Sequence, residues 1–195
     1  IVTNLVSSSC NMLLGRLLDW QIDQGHAVAG YLMVGVLCLT LAAMDATICM
    51  GASISGLHGF LKSGGDSKNT VAVIGDSTFM HSGMTGLVNV AYNESNATVI
   101  ILDNSITGMT GHQQNPTTGY NLKGDPATKI DLETLCHAIG IRRVRVVDPY
   151  NLAECNQAVQ EELAADEPSV IISRRPCALL KTVKHGKPLF VDEET

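Results

Sequence analysis

The sequence has 195 residues, of which 45% are hydrophobic and 16% charged, and its formal net charge is −6. A chain of this size can build one hydrophobic core, and without a basic block it has no electrostatic support for nucleic-acid binding. The six cysteines include no Cys-x-x-Cys pair, so we predict neither zinc nor an iron–sulfur cluster, but buried, reduced thiols of a cytoplasmic protein.

The N-terminal segment, residues 1–43, is the least informative part of the chain, and we assign it to the same domain as the residues that follow. Residues 27–44 form an 18-residue run without a formal charge, which is long enough to cross a membrane. Gly30 and Gly35 interrupt this run and no basic cluster flanks it. Burial in the core is therefore the favoured interpretation, and a membrane segment is the alternative.

A loop leading into a helix is predicted within residues 44–61, with Asp45 or Ser53 as a possible side-chain cap. Gly51 and Ala52 precede or begin this helix and are small enough to allow a close approach. The approaching group is either a bound ligand or a packed neighbouring element. The sequence leaves both alternatives open.

The most informative stretch begins with an apolar strand at residues 71–74, which ends in Gly75-Asp76-Ser77. A helical segment follows, and a second strand at residues 98–102 ends in Asp103-Asn104. In parallel α/β sheets, ligands bind beyond the carboxyl ends of the strands. Because Asp76 and Asn104 each follow a strand, we expect them to face one another across a crevice.

This pair of residues indicates a magnesium site. Carboxylate and amide oxygens are hard ligands that suit Mg²⁺, which completes its octahedron with phosphate oxygens and water. Neighbouring glycines and hydroxyls let backbone N–H groups approach an anion, and the helix beginning near Thr78 adds its positive end. These neighbours are Gly75, Ser77, Thr78, Gly108, Thr110 and Gly111. The alternative role for Asp76 is a helix N-cap, but its pairing with Asn104 favours a magnesium diphosphate site.

The rest of the chain continues the alternation of strands and helices. Residues 114–129 form a long polar loop with two prolines, of the kind that often serves as a lid or an interface. We then predict a helix capped by Asp131 and stopped by Gly140, a strand at 144–147, a helix at 152–165 and a strand at 169–173. This order predicts an α/β fold, a mainly parallel sheet with helices on both faces, in a domain spanning residues 44–180 with an extended tail at 181–195.

The motifs resemble those of a known family. Gly75-Asp76-Ser77, followed by 25 residues and Asp103-Asn104, is similar to the GDG…NN signature of thiamine diphosphate enzymes, with Ser77 and Asp103 as variants. The segment Asn104–Gln113 is typical of 2-oxoacid:ferredoxin oxidoreductases. Within that family, GDSTFMHSGMTGL, TGMTGHQ and ELAADEPSVIISRRPCALL look most like the large subunits of indolepyruvate ferredoxin oxidoreductases.

The resemblance implies a thiamine diphosphate-binding fold and assigns roles to residues of this chain. Mg²⁺ would be bound by the Asp76 carboxylate, the Asn104 side chain and the backbone carbonyl of Ile106. His112 is the candidate for substrate or proton handling. The implied cofactor-binding set is Gly51, Ala52, Gly75, Asp76, Ser77, Thr78, Asn104, Ile106, Gly108, Met109 and Thr110.

The implied activity is oxidative decarboxylation of a 2-oxoacid such as indolepyruvate, with the acyl group passed to coenzyme A and the electrons to ferredoxin. The [4Fe–4S] clusters are expected in a C-terminal module outside this chain. In the family, the carboxylate that protonates the aminopyrimidine comes from a separate pyrimidine-binding domain, and no glutamate here is placed for that task. We therefore expect a domain of a larger homo-oligomeric enzyme with a small second subunit, inactive alone.

Two other functions stay open at this point. One is the corresponding domain of a non-oxidative, thiamine diphosphate-dependent 2-oxoacid decarboxylase. The other is a non-catalytic phosphate-binding module that uses residues 27–44 as a membrane anchor.

Overall fold

The computed structural model describes residues 46, 48–108, 110–180 and 183. All of these except Ala46 belong to one compact unit, Ile48–Thr195. The interpretations of residues 1–43 and of the apolar run at 27–44 concern residues that lie outside the described part. Within the described part, no helix is both long enough and apolar enough to cross a membrane.

A parallel sheet of four strands forms the centre of the fold, in the order β1-β2-β4-β3. The strands are rich in valine and isoleucine, whose branched side chains pack well on a pleated surface. In the register of the sheet, Gly75 is paired with Leu102, and Asp103 is paired with Arg174. The carboxyl ends of three strands therefore meet at one edge. The strands are β1 (Val71–Gly75), β2 (Thr98–Asp103), β3 (Arg143–Val147) and β4 (Ser169–Arg174).

Helices cover both faces of this sheet, as predicted. On one face, alternate strand residues such as Ile74, Val99 and Ile172 join a core with the helices that precede β1 and follow β1 and with the helix before β3. On the other face, Ile171 packs with Ala158 of the last helix. The helical elements are α1 (Ala52–Lys62), α2 (Asp76–Thr78), a π-helical segment (Phe79–Gly83), α3 (Met84–Tyr92), α4 (Leu132–Ile139) and α5 (Leu152–Ala164).

The structure confirms the predicted boundaries of α4 but corrects the start of α1. The Asp131 side chain caps α4 by accepting a hydrogen bond from the Thr134 N–H at 2.8 Å, and Gly140 ends it with φ 113°. At α1 the predicted cap by Ser53 is wrong, because Ser53 lies inside the helix and Gly51 is the N-cap with φ 88°. A backbone in this left-handed conformation favours glycine over any residue that offers a capping side chain.

The described cysteines are all free thiols. The expectation of burial holds for Cys136, where burial raises the pKa of the thiol to about 12. It is wrong for Cys49, which is exposed because it lies in the turn before α1. Cys155 and Cys177 are half-buried.

Candidate functional site

The first part of the site is the turn where β1 passes into α2. Asp76 is the first residue of α2 and is only 3% exposed, and its Oδ1 accepts a hydrogen bond from the Ser77 N–H at 2.7 Å. The alternative role of Asp76 as the helix N-cap is wrong, since Gly75 occupies that position. The carboxylate is therefore buried for a reason other than capping.

The electrostatic environment of Asp76 is unfavourable for a lone negative charge. Burial raises the pKa of the Asp76 carboxyl, and the nearby charge of Asp103 raises it further, against the hydrogen bond from Ser77, which lowers it. Among the described side chains, no lysine or arginine forms an ion pair with Asp76. A cation bound here would remove this penalty.

The second part of the site is the turn that follows β2. Asp103 is buried, and its Oδ2 accepts a hydrogen bond from Arg174 Nε at 2.8 Å. Its other oxygen accepts one from the Ser105 N–H at 3.1 Å, where the backbone has φ 61°. Asn104 Oδ1 accepts a hydrogen bond from the Ile106 N–H, also at 3.1 Å. The ion pair with β4 thus holds the turn that carries two of the implied metal ligands.

A tight hairpin links these two turns. Thr107 and Gln113 pair through reciprocal backbone hydrogen bonds of 3.0 and 3.2 Å. The Thr107 hydroxyl donates to Ser77 Oγ at 2.9 Å, and a Cβ placed on Gly108 would lie 3.7 Å from Asn104 Nδ2. The structure therefore brings Ser77, Asn104 and Gly108 to the same edge of the sheet.

The sequence interpretation missed Thr107 of the hairpin and, in the loop that follows it, Asn115 and Thr117. Asn115 Nδ2 lies 3.5 Å from Asp76 Oδ2 and 3.3 Å from Thr107 Oγ1, and Thr117 Oγ1 lies 3.3 Å from Asp76 Oδ2. Both are buried. The available signal was the Asn-Pro-Thr sequence, which suits an Asx turn, but nothing in a polar loop marks it as buried against a distant residue.

The remaining residues of the predicted cofactor-binding set lie on the hairpin, at the end of α2 and at the start of α1. The Thr110 side chain is exposed and contacts Gln113, and His112 is exposed at the tip of the hairpin with φ 65°. Thr78 ends α2, directly after Ser77. Ala52 is half-buried at the start of α1, and Met109 lies outside the described residues.

Gly51 is in close contact with the π-helical segment. A Cβ placed on Gly51 would lie 2.5 Å from Ser82 Oγ and 2.7 Å from the Ser82 carbonyl oxygen. Real Cβ atoms do not approach a backbone oxygen so closely. This contact supports the packing alternative for Gly51 over a direct contact with a ligand.

Replacing Gly51 by alanine is expected to lower the free energy of unfolding by about 1–3 kcal/mol, since the variant combines a positive φ with this steric clash. Gly56 in the same helix is a matched control: it is exposed, and a Cβ there would meet no atom of the described residues within 4 Å. Gly56→Ala should raise stability by about 0.5–1 kcal/mol. Urea denaturation measures both; equal effects would exclude close packing at Gly51.

The arrangement fits a magnesium ion that arrives with phosphate oxygens. A Cβ placed on Gly75 would meet no atom of the described residues within 4 Å, so the turn opens onto space beside Asp76. Oxygen atoms of Asp76, Ser77 and Thr107 lie at or near this turn. Mg²⁺ takes few protein ligands and keeps phosphate and water in its shell, which matches such a sparse donor set.

Comparison with known proteins identifies the family of the chain. Residues 38–173 match the family described as "Thiamine pyrophosphate enzyme, C-terminal TPP binding domain". "Indolepyruvate oxidoreductase subunit IorA" of Pyrococcus horikoshii is 40% identical over 153 residues, covering 72% of this chain and 24% of the relative. The IorA subunit of Archaeoglobus fulgidus is 41% identical over 143 residues, covering 72% of this chain and 22% of the relative. The chain thus spans about a quarter of the length of these relatives.

A solved structure, the 2-oxoglutarate:ferredoxin oxidoreductase from Magnetococcus marinus with 2-oxoglutarate, coenzyme A and succinyl-CoA bound, has the same fold with a TM-score of 0.57. Its sequence identity is 17%, and the match covers 66% of this chain and 46% of that chain. At this identity the likeness concerns the fold alone.

Proposed function

The chain belongs to the thiamine pyrophosphate enzymes, as their C-terminal TPP-binding domain, and from this premise we propose that it binds Mg²⁺ and thiamine diphosphate in an indolepyruvate-type 2-oxoacid:ferredoxin oxidoreductase. The relatives named indolepyruvate oxidoreductase subunit IorA support the substrate class, an aryl 2-oxoacid. They also favour an enzyme over a non-catalytic phosphate-binding module.

The observation that carries this proposal is the buried Asp76 carboxylate beside an open turn. Its pKa is raised by burial, no cation of the described residues pairs with it, and Gly75 leaves space next to it. In the proposed complex Mg²⁺ is held by Asp76, the Asn104 side-chain oxygen and the Ile106 carbonyl. The backbone and side chains of the two turns and the hairpin hold the cofactor around it: Gly75, Ser77, Thr78, Gly108, Met109 and Thr110.

Thiamine diphosphate supplies an electron sink for the loss of CO₂ from the 2-oxoacid. The task of this chain is to hold the diphosphate end and to fix its position against the sheet edge. The hydroxyls of Ser77 and Thr107 already share a hydrogen bond. Each can also donate a hydrogen bond to a phosphate or accept one from a bound water. We propose His112 as the residue that exchanges a proton with the substrate, because it is exposed on the hairpin.

The aminopyrimidine carboxylate is the part for which this chain offers no candidate among its described residues. Glu162 on α5 is buried, but its carboxylate accepts a hydrogen bond from Arg143 Nε of β3 at 2.7 Å. It is thus engaged in an ion pair between α5 and β3. We therefore place the missing carboxylate on a separate pyrimidine-binding domain and expect this chain alone to be inactive.

The same proposal includes coenzyme A as acyl acceptor, ferredoxin as electron acceptor, a second small subunit and a homo-oligomeric assembly. The [4Fe–4S] clusters belong to a module other than this domain. A cytoplasmic location is part of the same proposal, on the ground that the scattered cysteines of the sequence do not resemble a disulfide framework.

The product of turnover tests this function. The full-length polypeptide that carries this sequence, assembled with its partner subunit, is incubated with indolepyruvate, coenzyme A, thiamine diphosphate, Mg²⁺ and oxidised ferredoxin. We expect one arylacetyl-coenzyme A and one CO₂ for every two electrons delivered to ferredoxin. Release of the aldehyde with no reduced ferredoxin would instead assign the non-oxidative decarboxylase. Turnover by the isolated 195-residue chain would contradict the separate origin of the aminopyrimidine carboxylate.

A further inference from the structure

We propose that Asn115 and Thr117 are positioning residues for the metal ligand Asp76. The loop beginning at residue 114 therefore forms one rigid side of the metal site. The inference rests on the proposed Mg²⁺ site. It concerns two side chains, referred to below as the Asn115–Thr117 pair, that neither the motifs nor the strand ends pointed to.

The orientation of the Asn115 amide follows from its partners. The Thr117 backbone N–H, which can only donate, lies 2.8 Å from Asn115 Oδ1. The amide oxygen must therefore face Thr117, and the NH₂ group faces Asp76 Oδ2 at 3.5 Å and Thr107 Oγ1 at 3.3 Å. Asn115 thus connects the carboxylate of the first turn with the hydroxyl of the hairpin.

The Thr117 hydroxyl makes the pair suitable for a carboxylate that must also bind a metal. The hydroxyl has one proton and lies near two acceptors, Asn115 Oδ1 at 2.7 Å and Asp76 Oδ2 at 3.3 Å. It can donate to Asp76 when that oxygen is free and to Asn115 when the oxygen is engaged by a cation. Neither state leaves a buried hydroxyl unsatisfied, so the pair supports the carboxylate with and without the ion.

The contacts of Asn115 and Thr117 with Asp76 are shielded from solvent. Thr117 is 2% and Asn115 8% exposed, so water does not readily replace either contact. Both residues come from a loop about forty positions along the chain from Asp76 and are held within it, since Thr118 donates its N–H and hydroxyl to the Asn115 carbonyl at 3.0 and 2.8 Å. Ligating carboxylates held by such outer partners typically lose about 10- to 100-fold in metal affinity when the partners are removed.

The test compares four variants of the full-length polypeptide: Thr117→Val, Thr117→Ser, Asn115→Ala and Asn121→Ala. Valine keeps the shape of threonine without its hydroxyl, and serine keeps the hydroxyl. Asn121 is the matched control, because it lies in the same loop, is exposed and makes only local hydrogen bonds to Lys123 and Asp125. Calorimetry gives the half-saturating Mg²⁺ concentration at fixed thiamine diphosphate, and thermal unfolding in EDTA reports the stability of each variant.

We expect the half-saturating Mg²⁺ concentration to rise about tenfold or more in Thr117→Val and Asn115→Ala. Thr117→Ser and Asn121→Ala should stay within about twofold of wild type, and at saturating Mg²⁺ the affinity for thiamine diphosphate should recover in every variant. A purely structural role would lower stability without moving this Mg²⁺ dependence.

The possible results distinguish a failure of the proposed function from a failure of the positioning role alone. If wild type shows no Mg²⁺-dependent binding, the proposed function fails, and the positioning role fails with it. If wild type binds and the Thr117→Val and Thr117→Ser variants have the same Mg²⁺ dependence as wild type, the positioning role alone is overturned. The comparison of these two variants remains decisive even where Asn115→Ala does not fold.

Discussion

Replacing Asp76 by asparagine is expected to abolish the Mg²⁺-dependent binding of thiamine diphosphate, with a loss of affinity on the order of a hundredfold or more. The substitution keeps the size of the side chain but removes the buried carboxylate that follows Gly75 and is the proposed metal ligand. Titration calorimetry of the full-length polypeptide with thiamine diphosphate and Mg²⁺ measures the loss. Asp66→Asn is the matched control, because Asp66 serves an exposed surface turn through Lys68 and Asn69.

The same substitution should stabilise the protein when no metal is present. Burial raises the folded-state pKa of the Asp76 carboxyl above its ordinary value. The contribution of this carboxyl to folding is therefore most favourable below the unfolded pKa and is lost as the pH rises through the folded pKa. In EDTA at pH 7, we expect Asp76→Asn to unfold a few degrees above wild type, with a difference that shrinks as the pH falls toward 4. A lower unfolding midpoint at pH 7 would contradict this assignment of the pKa shift.

Replacing Arg174 by methionine is expected to destabilise the protein by about 2–3 kcal/mol, because it leaves the buried Asp103 carboxylate without its partner. The value lies below that for a fully buried pair, since the Arg174 side chain is 34% exposed. Adding Asp103→Asn should restore part of the loss, because the asparagine oxygen can still accept from the Ser105 N–H. Urea denaturation of the two single variants and the double variant measures this coupling.

The control for this cycle is Arg142→Met. Arg142 pairs with Glu167 at 3.1 Å, but its side chain is 85% exposed, and such surface pairs contribute about 0–1 kcal/mol. Strictly additive effects of Arg174→Met and Asp103→Asn would show that the two side chains do not form the ion pair. A loss in Arg142→Met equal to that in Arg174→Met would show that burial of Asp103 carries no special cost.

The effect of Arg174 should extend to the metal site. Without the guanidinium, the turn that carries Asn104 and Ile106 loses the ion pair that holds it in place. We therefore expect Arg174→Met to weaken Mg²⁺ binding as well as stability. The double variant with Asp103→Asn should recover Mg²⁺ binding in part, because the amide oxygen can still accept the hydrogen bond from the Ser105 N–H that orders this turn.

The sequence was sufficient for the sheet and for one side of the site. Apolar β-branched runs end in polar residues at Asp76 and at Asn104, and the rule that ligands bind at the ends of parallel strands needs only this local pattern. The capped helix from Asp131 to Gly140 was predictable for the same reason, because its start and stop signals are neighbours in sequence.

The parts that could not be predicted depend on contacts between distant residues. Arg174 reaches Asp103 because β4 lies beside β2 in the sheet. Neither strand's own sequence indicates which strand will be its neighbour. Asn115 and Thr117 are polar residues of a polar loop, and only the folded chain buries them against Asp76. The sequence allowed Gly51 to contact either a ligand or a packed element, and only the position of Ser82 in the folded chain favours packing.

Locating the metal is the most direct test of the site at the ends of β1 and β2. Crystals of the full-length polypeptide grown with thiamine diphosphate and Mn²⁺ in place of Mg²⁺ would show the ion in an anomalous difference map. We expect a manganese peak, distinguished from cluster iron by data collected on either side of the manganese absorption edge, about 2.0–2.3 Å from an Asp76 carboxylate oxygen and from the Asn104 side-chain oxygen, with the diphosphate in its coordination shell. Thiamine diphosphate bound with its metal at any other place in the chain would contradict the assignment of this sheet edge as the cofactor site.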